Sequence, residues 1–487
     1  MSIKSIIVIG GGPGGFAAAL AAARRGLAVT LVDQNKIGGT CLNRGCIPSK
    51  FFLSAAKKNS DAQNLIHSGV ELRAAGVSLA KMVDRKESLL GTLRQRMEQA
   101  LKASKITWTS GAARLISPHQ VEILSDDAEF GVRSPEGGSL DKNNQPPHSA
   151  LRAPHFRMEA DAIILATGSE PARPSLFPDH PAIFDSDTIF DLPRLPEHLV
   201  VLGGGYIGCE LACAFHGLGS KVTLIEKESR LLATQPEFHP AAAVIERSFE
   251  KRGMTLMLGT SIDRVETTGE RELKIHGSNG QTLEAGALLL SLGRRPNLKG
   301  LAPESAGLKV ENGRLKINGS MQTSVPSIYA IGDLVSPLPL AHVAAKEADV
   351  AVAHLCGETK TIDYSAIPRC VYTWPEAAAV GITEEQALKS GITPRVDRYH
   401  FAASSKALVE DEAEGSWIIV SDSQTRRILG GLIIGPHATE LIHLIVLSIK
   451  AKLTAQDIAD TVFAHPSLSE GFGEAMSRSL TINKRPQ

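Results

Sequence analysis

The chain has 487 residues, too many for one hydrophobic core, so several domains are expected. Lys plus Arg equals Asp plus Glu at 52 each, which gives no electrostatic reason to invoke nucleic acid or a membrane surface as a partner. No apolar run reaches spanning length, the first strand begins too near Met1 to leave room for a signal peptide, and six cysteines do not make a secreted disulfide framework. A cytoplasmic protein is expected, in which any disulfide is catalytic rather than structural.

Taken in order, the chain opens with a buried-type strand, Ile6–Ile9, and the glycine-rich turn Gly10-Gly-Gly-Pro-Gly-Gly15. An alanine-rich helix over Phe16–Arg25 and a strand over Ala28–Val32 follow, ending at Asp33. The glycines Gly10, Gly12 and Gly15 let the backbone approach a pyrophosphate at a helix N-terminus, where unpaired N–H groups favour negative charge. Asp33, 23 residues after Gly10, is placed to accept hydrogen bonds from a ribose.

Next comes Gly38-Gly-Thr-Cys-Leu-Asn-Arg-Gly-Cys-Ile-Pro-Ser-Lys50, leading into a helix that should reach about Asn59. Cys41 and Cys46 lie five apart, so a regular helix would turn them away from one another, whereas a disulfide needs Cα atoms about 4.4–6.8 Å apart. A distorted first turn is therefore predicted, with Gly45 and Pro48 helping to set it. A metal site would need more ligands, and the nearest histidine is His67, so no metal is assigned. Buried structural cysteines are the plainer alternative, but the helix-start position and Lys50 both favour a thiolate.

Asp84–Ala103 reads as a charged, amphipathic surface helix, and Ile106–Leu124 as short strands. Ser125–Pro154 is polar and rich in proline and glycine; it reads as an inserted surface loop. Asp161–Ala166 is a strand closed by Thr167-Gly168. A second dinucleotide unit follows, with strand Leu199–Leu202, Gly203-Gly-Gly-Tyr-Ile-Gly208, a helix to Gly217 and strand Lys221–Ile225. It ends at Glu226, again 23 residues after the first glycine. Gly203, Gly205 and Gly208 repeat the first turn. Glu226 should accept a free ribose 2′-hydroxyl and repel a 2′-phosphate, which favours NAD over NADP, although Lys227 and Arg230 lie nearby.

A boundary turn, Gly293–Asn297, closes this unit, and Ser327–Asp333 is a strand ending in Gly-Asp. From about Thr361 the pattern changes to a third core, with strands expected at Arg369–Trp374, Ser416–Val420 and Ile428–Ile434. It closes with Phe463-Ala-His-Pro-Ser-Leu-Ser-Glu470, a histidine followed five residues later by a glutamate.

These motifs, in this order and over nearly the whole length, resemble the flavin-dependent pyridine nucleotide–disulfide oxidoreductase family, and within it the dihydrolipoamide dehydrogenase branch. The resemblance implies an α/β fold with two Rossmann-like dinucleotide-binding domains and a C-terminal α+β dimerisation domain. The expected boundaries are 1–170 and 296–360 for FAD, 171–295 for NAD and 361–487 for the dimer interface. It further implies that the first unit binds the ADP half of FAD, with Thr167, Gly168 and Gly293 at the motif turns and Asp333 on the ribityl chain. Lys50, paired with Glu210, would lie near the flavin, and Tyr206 would cover the flavin face until nicotinamide displaces it.

By the same resemblance, Cys41 would exchange with substrate sulfur and Cys46 with the flavin side, while His465 and Glu470 complete the active site of the neighbouring subunit in a homodimer. The implied reaction oxidises protein-bound dihydrolipoamide with NAD. The partner would be a lipoyl-domain protein, such as that of a 2-oxoacid dehydrogenase or glycine cleavage complex. The alternative is an NAD(P)H-dependent reductase of another disulfide. A C-terminal cysteine pair of the mercuric branch is not found. The chain departs from the family pattern at Phe463, where a second histidine is common, and at Ser467 for threonine. Lys406 replaces a common arginine, Arg44 stands inside the redox segment, and 125–154 is an addition.

Overall fold

A computed structural model of the chain describes residues 3–67, 69–71, 76–124 and 155–482; the insertion expected at 125–154 lies outside the described residues. The chain forms two compact units. The first comprises Met1–Pro48, Ala80–Ala172 and Arg294–Ile362, the second Ser49–Leu79, Arg173–Gly293 and Asp363–Gln487.

The first unit is built on a five-stranded parallel sheet in the order Ile328–Ala330, Ala162–Leu165, Ser5–Ile9, Ala28–Asp33, Thr107–Ser110. Its central strand explains why the sequence there is apolar without alternation. Ile6 and Val8 enter one buried cluster with the helices Pro13–Arg24 and Ala341–Leu355. Ile7 and Ile9 enter another, with Leu115, Val121 and Ile123 of an antiparallel three-stranded sheet. Successive side chains of a strand point to opposite faces, and here both faces are covered. Alanines at 18, 19 and 22 are fully buried, which is the use of the alanine-rich composition: small side chains let the first helix pack closely.

The redox segment is divided in two, a short helix Gly39–Asn43 and a long helix Cys46–His67, parted at Arg44 and Gly45. This is the interruption that the cysteine spacing required. A Cβ on Gly45 would stand 3.1 Å from the Thr40 carbonyl oxygen and 3.5 Å from Cys41 Cα, so the break is tight and suits glycine. Pro48 lies in the first turn of the second helix, where a missing N–H costs nothing. That helix runs past the expected end, and the amphipathic helix begins earlier than expected, covering Leu79–Ala103.

The second unit carries a parallel sheet in the order Thr255–Leu258, Lys221–Glu226, His198–Leu202, Ala287–Leu290, Ile183–Asp185. It also holds an antiparallel five-stranded sheet, Arg369–Val371, Glu376–Gly381, Ile428–Gly435, Ser416–Asp422, Pro394–His400. Two of these strands escaped the sequence reading. Glu376-Ala-Ala-Ala-Val-Gly381 has the composition of a helix. Pro394–His400 is an edge strand that starts with proline and carries charges, the devices that keep edges from pairing further. Helices Ala438–Lys450 and Glu470–Ile482 enclose the core around Trp417 and Phe472, whose rings stack with centroids 5.6 Å apart.

Candidate active site

The two glycine-rich turns have matching geometry. Gly10 and Gly203 adopt φ of +107° and +105°, and a Cβ on them would fall 2.2 Å from the Ala166 carbonyl oxygen and 2.5 Å from that of Ser291. At Gly15 and Gly208 a Cβ would lie 1.8 Å from the carbonyl oxygen of Gly10 and of Gly203, so helix and strand touch through these residues. Those four glycines are needed by the fold. Gly12 and Gly205 are not. Each caps its helix in extended conformation, φ −70° and −76°, without a side-chain cap. The nearest atom to a Cβ is 3.9 Å away at Gly12, and none lies within 4 Å at Gly205. Neither conformation nor packing calls for glycine there. A phosphate approaching the uncapped helix N-termini would, so the residues fit a bound dinucleotide in both turns.

The acidic residues behave alike as well. Asp33 Oδ2 accepts the Gly11 N–H at 2.5 Å and Oδ1 the Asn35 N–H at 2.7 Å. Glu226 Oε2 accepts the Gly204 N–H at 2.5 Å and Oε1 the Glu228 N–H at 2.9 Å. Burial pushes the Asp33 carboxyl above its ordinary range, against the pull of those two N–H groups and of Arg44.

Cys41 is half-buried and Cys46 exposed, on either side of the helix break. The segment that bears them is tied to the first turn: Gly38 N–H donates to the Gly11 carbonyl at 2.9 Å, and a Cβ on Gly39 would come 2.6 Å from Gly12 Cα. In the same unit Ser169 Oγ donates to Asp333 Oδ2 at 2.6 Å and receives Arg294 Nε at 2.9 Å. Thr167 Oγ1 donates to the Asn297 carbonyl at 2.7 Å, and Gly168 takes φ +70°. The Thr167-Gly168 and Gly293–Asn297 motifs thus meet as a short antiparallel pair, Ser169–Pro171 with Arg294–Pro296.

In the second unit Lys50 Nζ lies 2.7 Å from Glu210 Oε2, with the carboxylate side chain only 8 % exposed. Sequence reading missed Tyr372, which donates its N–H to Glu210 Oε1 at 3.1 Å and sets its ring 4.3 Å from the Lys50 ammonium. No spacing rule links residues 162 apart, so only the fold could bring it in. Tyr206 donates to Glu237 at 3.3 Å, and Arg369 holds that carboxylate at 3.0 Å. Burial, first, and the Glu237 charge hold the Tyr206 phenol protonated well above its ordinary range. His465 Nδ1 stands 2.8 Å from Glu470 Oε1, and Ser467 N–H donates to Oε2 at 2.7 Å. Cys41 and Cys46 belong to the first unit, and His465 and Glu470 to the second. Gly293, φ +90°, ends the second unit's inserted stretch. Among the described residues no cluster of three or more His, Cys, Asp or Glu is arranged to hold a metal ion, and no helix is long and apolar enough to cross a membrane.

A family profile described as pyridine nucleotide-disulphide oxidoreductase matches residues 4–348, and that family's dimerisation domain matches 367–476. The chain belongs to the pyridine nucleotide-disulphide oxidoreductase family. It is an α/β oxidoreductase of the FAD-dependent disulfide type, with FAD and NAD as cofactors.

Curated relatives match over most of their length. The chain is 36 % identical to a dihydrolipoyl dehydrogenase of Chlamydia trachomatis over 475 residues, covering 96 % of this chain and 95 % of that one. It is 38 % identical to one from Chlorobaculum tepidum, covering 98 % and 97 %. Among solved structures it resembles LpdA from Mycobacterium tuberculosis with TM-score 0.86 and 28 % identity, covering 98 % and 100 %. It also resembles the HOCl-induced flavoprotein disulfide reductase RclA from Escherichia coli, with TM-score 0.82 and 26 % identity, covering 97 % and 99 %.

Proposed function

We propose that the protein is a cytoplasmic homodimer that oxidises dihydrolipoamide on a lipoyl domain with NAD, working through a Cys41–Cys46 disulfide. The observation that carries this reading is the broken helix, with one cysteine on each side of the break and the segment hydrogen-bonded to the first dinucleotide turn. Relatives named dihydrolipoyl dehydrogenase support the choice of substrate. In this reading residues 1–170 and 296–360 hold FAD, 171–295 hold NAD and 361–487 form the dimer contact.

His465 is the base. Its Nδ1–H donates to Glu470, which leaves the Nε2 lone pair to take the proton of a substrate thiol. The ring is 72 % exposed on its own chain, as a group that serves the neighbouring subunit should be. The substrate thiolate attacks Cys41 Sγ, the Cys41–Cys46 bond breaks, and Cys46 leaves as thiolate. The substrate's second sulfur, as thiolate, attacks its partner sulfur in the mixed disulfide and releases Cys41. Dihydrolipoamide has then lost two electrons and two protons and become lipoamide, and the cysteine pair has gained the electrons. Bound FAD supplies the two-electron relay from this dithiol to NAD. Gly12, Asp33 and Asp333 would hold FAD, with Lys50 near its flavin; Gly205 and Glu226 would hold NAD, and Tyr206 would guard its entry.

The test is NADH formation from dihydrolipoamide by purified, flavin-loaded protein. An intact flavin that NADH reduces, without lipoamide turnover, overturns the substrate assignment. The likeness to RclA, described as a disulfide reductase, favours a second reading in which the enzyme reduces another disulfide with NAD(P)H. Turnover of low-molecular-weight disulfides in place of lipoamide would select it.

A further inference from the structure

Asn43 closes the short helix that carries Cys41, and its side-chain amide is fully used. Nδ2 faces three main-chain carbonyls, those of Lys36 at 3.3 Å and of Ile37 and Gly39 at 3.0 Å each. Oδ1 accepts Arg94 Nη1 at 2.9 Å. Arg94 comes from the Leu79–Ala103 helix, is 17 % exposed, and has Glu87 beside it at 3.8 Å.

An arginine can only donate, so it admits only one orientation of the amide, with oxygen toward Arg94 and nitrogen toward the carbonyls. The reverse orientation would face one oxygen with three others and leave the guanidinium without that acceptor. Of the carbonyls that Asn43 gathers, those of Lys36 and Ile37 belong to the turn joining Asp33 to the redox segment and that of Gly39 to the start of the short helix, and Gly38 and Gly39 touch Gly11 and Gly12. Arg94 therefore locks the amide, the amide locks the turn, and the turn sets where the helix that carries Cys41 begins, at Gly39.

We infer that Arg94 is a positioning residue that sets the dithiol–disulfide equilibrium of Cys41 and Cys46 through Asn43. The inference rests on the reading of these cysteines as the redox pair. A disulfide closes in proportion to how well its two thiols are held together, so loosening one end favours the open dithiol. Removing the clamp should make the disulfide easier to reduce while leaving the fold in place.

The experiment equilibrates flavin-loaded protein in buffers of oxidised and reduced dithiothreitol, quenches with acid and alkylates. Cleavage after lysine releases Ile37–Lys50, the peptide that holds both cysteines, and its mass reports the oxidised fraction. Arg94→Met should shift the midpoint by at least tenfold in thiol ratio toward reduction, about 30 mV for this two-electron couple. Arg94→Lys, which keeps a charged donor, should fall within about threefold of the wild type, and it reads the clamp even if the methionine variant fails to fold. Asn43→Asp, whose carboxylate cannot donate to the carbonyls, should shift at least as far as Arg94→Met. An Arg94→Met midpoint within twofold of the wild type overturns the inference. So does a lysine variant shifted tenfold, because a retained donor should hold the amide. A wild-type peptide that never oxidises at any ratio removes the redox-pair reading itself, a result distinct from an unmoved variant.

Discussion

Glu470 grips the peptide around His465 with both of its oxygens, one on the imidazole Nδ1 at 2.8 Å and the other on the Ser467 N–H at 2.7 Å. The Ser467 N–H, first, and the His465 ring hold the Glu470 carboxyl below its ordinary range, so it remains an anion that orients the ring. His465→Gln should lower lipoamide turnover by roughly 10²–10⁴-fold, the range of general-base catalysis, with flavin content unchanged. Glu470→Gln should lose less, since an amide oxygen can still accept from Nδ1 or from Ser467. Steady-state kinetics beside the flavin absorbance checks both variants.

The glycines divide by what an added methyl would meet. Gly205→Ala places it in open space and Gly12→Ala no nearer than 3.9 Å to any atom, both at φ values that alanine adopts freely. Both variants should fold, with stability within about 0.5 kcal/mol of the parent. Gly12→Ala should then fail to retain FAD, and Gly205→Ala should bind NAD at least tenfold more weakly by calorimetry. Gly15→Ala and Gly208→Ala, with a Cβ 1.8 Å from a carbonyl oxygen, should not yield folded protein.

Thiol reactivity should separate Cys46 from Cys209, Cys213 and Cys370. Burial is the first cause that pushes the Cys213 and Cys370 thiols up to about 12, and it takes that of Cys209 well above its ordinary value. The thiolate is the nucleophile, so these three should resist iodoacetamide at pH 8 in the reduced, folded protein while Cys46, which is exposed, reacts. Peptide mass mapping after timed quenching gives the rates. Labelling of the buried Cys209 or Cys213, or of the half-buried Cys370, as fast as Cys46 would contradict the raised thiols.

Asp363 offers a test of linkage. Hydrogen bonds from the Ser365 hydroxyl, first, and from Lys450 lower its carboxyl to about 2. A carboxyl lowered on folding adds stability above its unfolded pKa, and this is lost as pH falls through the folded value. Asp363→Asn should therefore cost stability at pH 7, no more than about 1 kcal/mol for so exposed a pair, and the difference should shrink to nothing between about pH 4 and pH 2. Urea unfolding of both proteins across that interval measures it. A difference that is constant with pH would show that the ion pair contributes nothing.

What the sequence by itself determined are the features governed by neighbours along the chain. The two glycine turns and the acids 23 residues beyond them lie where they were expected, and the distorted first turn expected with Gly45 and Pro48 is a break between two helices at Arg44 and Gly45. The uniformly buried strand Ile6–Ile9, whose side chains go alternately to two covered faces, is of the same kind, since period two is a property of the strand itself. Only the tertiary structure decided which distant side chains complete the sites. Arg94 reaches Asn43 across 51 positions, Ser169 reaches Asp333 across 164, and Tyr372 seats Lys50 and Glu210 from the far end of the chain. The strands Glu376–Gly381 and Pro394–His400 were likewise settled by pairing, against their own composition. A hydrogen bond between remote residues has no local periodicity to announce it, because its partners are chosen by where the chain crosses itself.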